Sequence, residues 1–435
     1  MRVPIVLSDR SAYDRPRFIT QRGKPMLQIT RRSLEERRTR HTRAPLQRKE
    51  LFLDGSPHVP VYEEELWTAK QRQASSIHEV SYRACFKPQL PAYFIDRLSN
   101  EGDVVYDPFS GRGTTAVEAA LRGRRVIAND VSPLSAIFAR PRLEAPHVSE
   151  VDARLNALDL DQKVRPVLDL SMFFHADTER ELLNLRAYLN ARRRSRSEDC
   201  IDRWIRMVAT NRLTGHSPGF FSVYTLPPNQ AVSAEGQVKI NQRLEQKPAY
   251  RNVRELILKK SIQLQGDITA ADRDRLRRAA SHAQFVEGSA ASSKAIPDRT
   301  VQLTVTSPPF LDVVQYAKDN WLRCWFNGID AEAIGRRMTM SKTVEEWSTA
   351  MRAVFDELYR ITKPGGWVAF EVGEVRRAAV KLEEIVAPLG IAAGFDCEAV
   401  LINSQRFTKT ANIWGISNNR LGTNTNRIAV FRKPA

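Results

Sequence analysis

The sequence predicts an α/β protein with a mostly parallel sheet, interrupted by a mainly helical insert. Three observations carry this expectation. From Val104 the apolar run VVYDPF reads as a short buried strand, Gly111 to Thr115 as a turn, AVEAALRGR as a helix and RRVIAND as a second strand ending in Asp130. Strand, glycine turn, helix and strand in that order open a parallel α/β sheet. The same grammar resumes at TVQLTVTSPPF, passes through the helix VEEWSTAMRAVFDELYRI and a KPGG turn into the strand WVAFEVGE, and ends with strands at 398–404 and 427–432. Between these halves, TERELLNLRAYLNARRR and ADRDRLRRAASHA have helical composition around an irregular stretch, TGHSPGFFSVYTLPPNQ. The expected organisation is a basic arm over 1–50, a first core half over 51–145, an insert over 146–281 and a second core half over 282–435.

At 435 residues the chain has room for two domains or more, and with 42% hydrophobic and 27% charged residues it is not disordered throughout. No stretch approaches the roughly 18 consecutive apolar residues of a membrane-spanning helix. The start, MRVPIVLSDR, lacks the apolar core of a secretory signal, so the expected location is cytoplasmic. Cys85, Cys200, Cys324 and Cys397 are spaced for neither a zinc site nor a disulfide framework. No internal repeat is present.

Lys and Arg number 67 against 50 Asp and Glu, a formal charge of +17. Residues 1–50 contribute +9 (14 basic, 5 acidic) and residues 146–281 contribute +6 (23 basic, 17 acidic). Such segregation suits a polyanion, because clustered cations bind phosphates by releasing condensed counterions. A solvated basic surface is the plainer alternative.

The chemistry concentrates at two turns. Asp107-Pro108-Phe109-Ser110-Gly111-Arg112-Gly113-Thr114-Thr115 lies where a strand hands over to a helix, where glycines allow close backbone approach and helix N–H groups are unpaired. Asp130 follows Gly111 by 19 residues, the place of an acid that grips ribose hydroxyls. Together they point to a nucleoside-containing cofactor. The second turn, Thr306-Ser307-Pro308-Pro309-Phe310, ends a later strand. Its prolines remove two N–H donors and leave carbonyls to accept, beside an aromatic ring that can stack on a flat amine-bearing base.

With both motifs in hand, the chain resembles the S-adenosylmethionine-dependent DNA amino methyltransferases. The resemblance covers roughly residues 78–145 and 282–435. It implies a class I methyltransferase fold with a mostly parallel seven-stranded sheet, S-adenosylmethionine as cofactor and an inserted target-recognition domain. It implies a catalytic group of Ser307, Pro308, Pro309 and Phe310. The implied cofactor residues are Phe86 and Pro88 upstream, Asp107, Pro108, Phe109, Gly111, Gly113, Thr114 and Thr115 in the glycine turn, Asp130, and Ser289. In that family a serine before the two prolines is common in enzymes acting on the N4 amine of cytosine, whereas aspartate or asparagine is common for the N6 amine of adenine. Ser307 therefore favours cytosine. Where members commonly carry an acid before the catalytic strand, this chain reads Val286-Glu287-Gly288-Ser289-Ala290, so Ser289, Glu287 or backbone groups would meet adenine.

The resemblance further implies base flipping, a DNA partner, a restriction endonuclease as possible companion, and a prokaryotic or phage setting with nucleoid association. Carbon-5 cytosine chemistry is disfavoured because no Pro-Cys dipeptide occurs. RNA amine methylation and a non-catalytic DNA-binding protein on the same scaffold are the alternatives. Within the insert, Arg192, Arg193, Arg194 and Arg196, and the loop from Gly215 to Phe221 with its two phenylalanines, are the candidate DNA contacts, with a solvated basic helix and a loop pinned into the core by its two phenylalanines as the plainer alternatives. Asn412 to Arg427 could line the base pocket. Trp321 and Trp325 are expected in the core, and His216 is expected to be structural.

Overall fold

The computed structural model describes residues 47–51, 58–67, 74–82, 85–225, 231–309, 316–338, 341, 343–372, 374–375, 380–404 and 425–435. The chain divides into Met1–Arg40 and His41–Ala435, and every described residue lies in the second unit.

The strands β1 (Gln47–Leu51), β2 (Val59–Glu64), β3 (Val104–Asp107), β4 (Arg125–Asp130), β5 (Gln284–Glu287), β6 (Val301–Thr306), β7 (Thr362–Val372), β8 (Asp396–Ser404) and β9 (Thr425–Arg432) form one sheet in the order β1-β2-β8-β9-β7-β6-β3-β4-β5. From β7 to β5 every pairing is parallel. β9 runs antiparallel to both neighbours, β2 adds parallel to β8, and β1 closes the edge antiparallel.

The sheet is thus mixed and nine-stranded among the described residues, a correction to the seven strands expected. The two additional strands come from Gln47–Leu51, at the end of the expected arm, and Val59–Glu64, at the start of the first core half, where no strand was expected. Val59 and Val61 alternate inward and bury against Val400 and Ile402 of β8, the period-2 pattern of a half-buried strand. The KPGG segment is likewise not a free turn. It lies inside β7, where Gly365 has φ +72° and the pairing with β6 shifts between Val301 and Leu303, as a bulge requires.

The helices of the first half are α1 (Gln89–Leu98), α2 (Thr114–Leu121) and α3 (Leu134–Leu143). Six more, α4 (Val148–Ala157), α5 (Ala176–Arg194), α6 (Cys200–Arg212), α7 (Ala234–Arg243), α8 (Val253–Leu264) and α9 (Ala270–Ala280), fill the crossover from β4 to β5. Among them the fully buried Trp204 of α6 donates through Nε1 to Ser261 Oγ of α8 at 2.9 Å, while α9 packs on α2 and α3. After β6 come α10 (Tyr316–Asp319), α11 (Trp321–Asn327), α12 (Ala331–Arg337) and α13 (Val344–Ile361), and α14 (Leu382–Ala392) precedes β8. Thr343 caps α13 by accepting from Glu346 N. Trp347, Met351, Val354, Phe355, Leu358 and Ile361 then bury one helical face against the sheet.

This topology fixes where a ligand can sit. The chain leaves β3 toward β4 and β5 on one side, then returns to place β6 on the other side of β3. The carboxyl ends of β3 and β6 therefore flank a crevice at a topological switch point, where open α/β sheets bind their ligands.

Candidate cofactor and catalytic site

β3 ends at Asp107, which is 1% exposed. Its Oδ1 accepts from Phe109 N at 3.2 Å and from the hydroxyl of Thr306, the last residue of β6, at 2.7 Å. Burial pushes this carboxyl up to about 7. Asp107 thus ties the two strand ends together beneath the cavity, and Thr115 adds a second tie by donating to Val305 O at 3.1 Å.

The glycine turn is held from β4. Asn129, 2% exposed, donates to Pro108 O and to Gly288 O, and Ser110 N donates back to Asn129 O. Asp130 Oδ2 accepts from Gly111 N at 2.8 Å, while Oδ1 accepts from Ser132 N at 2.9 Å. Gly113 has φ +79°, and a Cβ there would lie 2.4 Å from Ala139 Cβ, so this glycine lets α2 pack on α3. Gly111, at φ +52°, would direct a Cβ into space with no neighbour nearer than 3.8 Å. One glycine serves packing and the other leaves room.

A buried guanidinium network fixes the upstream wall. Arg112 donates to Val80 O and Phe86 O, Arg142 to Ile77 O, and Arg323 to Ser81 O. All three arginines are at most 8% exposed, and burial lowers the Arg142 guanidinium to about 9. Their acceptors are main-chain carbonyls and neutral side chains, so they act as bolts on residues 77–86.

One cavity collects most of the expected residues. Phe86, Pro108, Phe109, Gly111, Thr114, Asp130 and Ser289 line it, together with Ser307 and Pro309. Asp107, Gly113 and Thr115 stand behind that wall in the roles just given. Pro88 is buried at the start of α1, and Pro308 is buried within the turn. Phe310 lies outside the described residues, as do Asn412 to Asn424 of the candidate base-pocket segment.

Several contributors were not anticipated. Glu371, near the end of β7 and 7% exposed, hydrogen bonds with Ser307 and accepts from Asn426 Nδ2 at 3.1 Å. Burial raises its carboxyl. Trp347 Nε1 donates to Pro309 O at 2.9 Å, which holds the Ser-Pro-Pro turn from α13. Tyr82 and Cys85 line the upstream wall, and Arg337, paired with Glu287 at 2.8 Å, lines the rim. Val286-Glu287-Gly288-Ser289 therefore meets the cavity through Gly288 and Ser289, with Glu287 turned to Arg337.

Residues 20–134 match the DNA methylase family. The matched stretch contains the glycine turn and Asp130 and ends before β6. The Type II methyltransferase M.MjaII of Methanocaldococcus jannaschii is 33% identical over 23% of this chain and 19% of its own length. The Type II methyltransferase M.BsoBI of Geobacillus stearothermophilus is 23% identical over 66% of this chain and 60% of its own. The chain therefore spans less than two thirds of these relatives. Among solved structures, an S-adenosylmethionine-dependent methyltransferase from Corynebacterium glutamicum aligns over 79% of this chain and 86% of its own at 8% identity, with a TM-score of 0.29. The DNA methylase family uses S-adenosylmethionine.

The residues present fit that cofactor. Ser110 lines the cavity with a buried hydroxyl that has no hydrogen-bond partner among the described residues, and the open side of Gly111 leaves a cradle that a Cβ would fill. Apolar Phe109, Ala290 and Val354 offer surface for a flat ring.

The insert yields corrections. Phe220 and Phe221 are 7% and 0% exposed and cannot wedge into a base stack. Gly215 makes this possible, since a Cβ there would overlap the Phe220 ring at 2.4 Å, and Arg212 covers that ring at 3.9 Å. Arg192 is committed to Asp202, Nε to Oδ2 at 2.8 Å, whereas Arg193, Arg194 and Arg196 are exposed. Trp321 and Trp325 are half-buried rather than core, because they face the insert. Trp321 Nε1 donates to Val232 O at 2.9 Å, and Arg186 lies over the Trp325 ring at 4.9 Å.

Proposed function

We propose that this chain is an S-adenosylmethionine-dependent DNA amino methyltransferase acting on the N4 amine of cytosine in a flipped base. The observation that carries the reading is that Ser307 and Pro309 line the same cavity as Pro108 to Gly111 and Asp130. The cofactor and catalytic motifs, 177 residues apart between Asp130 and Ser307, thus share one site.

S-adenosylmethionine, when bound, supplies an electrophilic methyl group. Phe86, Phe109, Gly111, Asp130 and Ser289 would hold it. The chain's own task is then to orient a weakly nucleophilic amine and accept the protons it sheds as its nitrogen gains positive charge. Ser307 suits this because its hydroxyl proton engages Glu371, which leaves lone pairs on Oγ for an amine proton. Trp347 occupies the Pro309 carbonyl, and the Pro308 carbonyl serves as the second acceptor. After methyl transfer the cationic amine gives a proton to Ser307 Oγ as the serine proton passes to Glu371, whose raised carboxyl is suited to receive it.

The basic arm and insert supply phosphate contacts in this reading, and a cognate endonuclease is compatible with its Type II relatives. The test is mass spectrometry of nucleosides from a methylation-deficient host expressing the protein, beside Ser307→Ala. 4-Methylcytosine that vanishes in the variant is the expected result. 6-Methyladenine would overturn the choice of base, and no modified base in DNA would overturn the proposal.

A further inference from the structure

Two arginine-lined cavities flank the insert, and they differ in how their charge is satisfied. The first lies against β4 and β5 and contains Arg140, Arg203 and Arg206, with Arg193 shared between the two cavities. Arg140, Arg203 and Arg206 are each paired, Arg140 and Arg203 with Glu144 and Arg206 with Glu198. The second runs between α5 and the chain after α11, lined by Arg186, Asn190, Arg193, Arg194, Gly328 and Ile329. No carboxylate lines it.

Within the second groove, Arg193 and Arg194 are exposed and have no ion-pair partner among the described residues. Their neighbour Arg192 is spoken for by Asp199 and Asp202. Cations in a last helical turn also complement the helix dipole, but that explanation does not reach Arg186, two turns earlier. Arg186 stacks on Trp325 and donates Nε to Trp325 O at 2.9 Å, which fixes its guanidinium beside the groove. At spacings of 0, 4, 7 and 8, Arg186, Asn190, Arg193 and Arg194 share one helix face. They span about 12 Å at ~1.5 Å per residue, the axial length of three to four phosphates on one DNA strand at ~3.4 Å each.

We propose that this groove, with Arg193 and Arg194 as its free charges and Arg186 and Asn190 beside them, is a binding track for the sugar-phosphate backbone of duplex DNA. The track begins near the carboxyl end of β4, since Arg193 also borders the cavity containing Ser132 and Pro133, and it ends at Gly328 and Ile329 after α11. The proposal rests on the DNA methyltransferase reading and adds where the duplex is gripped.

The experiment is fluorescence anisotropy of a labelled duplex oligonucleotide with the full chain, from 50 to 300 mM KCl, comparing wild type with R193A/R194A. Loss of two phosphate contacts should reduce the slope of log K against log salt by about 1.8, at ~0.9 per contact. A charge-retaining R193K/R194K variant should keep most of the slope. S-adenosylmethionine binding by calorimetry should be the same in all three proteins, which certifies the fold. An unchanged slope in R193A/R194A while wild type binds and methylates DNA would overturn the track and leave the enzymatic reading standing. Failure of wild type to bind or methylate DNA would overturn both. A slope loss seen with RNA and absent with duplex DNA would overturn duplex DNA as the occupant.

Discussion

Two buried carboxylates at neighbouring strand ends invite comparison. Asp107 closes β3 and Glu371 lies at the end of β7, and β6 runs between them. Consecutive residues of β6 and its turn serve both, since the Thr306 hydroxyl donates to Asp107 and Ser307 hydrogen bonds with Glu371. Both carboxyls are raised by burial. Their surroundings separate them. Asp107 sits behind the cavity wall and braces the glycine turn through Phe109 N, whereas Glu371 reaches the cavity through a residue that lines it. The same side-chain chemistry, one strand apart, braces the fold in one place and is bonded to a cavity-lining serine in the other.

The largest expected effect lies on the Glu371 side. Ser307→Ala should lower kcat by roughly 10²- to 10³-fold, the usual scale for losing a transition-state hydrogen-bond group, with S-adenosylmethionine affinity unchanged by calorimetry. Glu371→Gln should lower kcat by about 10- to 100-fold and alter the acidic limb of the pH-rate profile, with KM for DNA unaffected. An unchanged profile would reduce Glu371 to a second brace like Asp107.

Asp107→Asn tests the other half through stability. Its folded pKa of about 7 exceeds the ordinary 3.8, so the folded state holds its proton more tightly than the unfolded one. Stability from this group is present below pH ~4 and is lost as pH rises toward 7. Asp107→Asn should therefore melt several degrees above wild type at pH 8 and equal it at pH 4, with methylation largely retained. The glycines give a finer contrast. Gly113→Ala should destabilise by about 2 to 3 kcal/mol in urea titration, because it combines strain at positive φ with a clash against α3. Gly111→Ala should cost only about 1 kcal/mol and show itself in weaker cofactor binding. Trp347→Phe, the smallest, removes one hydrogen bond to the turn and should slow kcat less than tenfold at constant KM.

The parts of the site legible in sequence were the local ones. A glycine turn and a Ser-Pro-Pro turn each announce themselves within nine residues, because backbone constraints and chemistry coincide there. Glu371 was hidden because its partner is 64 residues upstream. The available signal was a carboxylate in the otherwise apolar run WVAFEV, which a buried strand tolerates only with hydrogen-bond partners. β1 and β2 were missed because the strand reading began only at Val104, although Val59 and Val61 already alternated. For Phe220 and Phe221 an exposed wedge and a loop pinned into the core were both open, and the absent side chain of Gly215, which admits the Phe220 ring, decides for the pinned loop.

The insert grips the chain from Asp319 to Asn327. Ala231 N donates to Asp319 O, Trp321 Nε1 to Val232 O, Arg186 to Trp325 O, and Asn327 Nδ2 to Thr210 Oγ1. These bonds limit modularity. A transplant of residues 146–281 into a related enzyme would strip Trp321 of its acceptor and Asn327 of one of its two, and leave polar groups stranded at the seam. Residues 316–329 would have to travel with the insert, so the smallest exchangeable cassette is discontinuous in the chain.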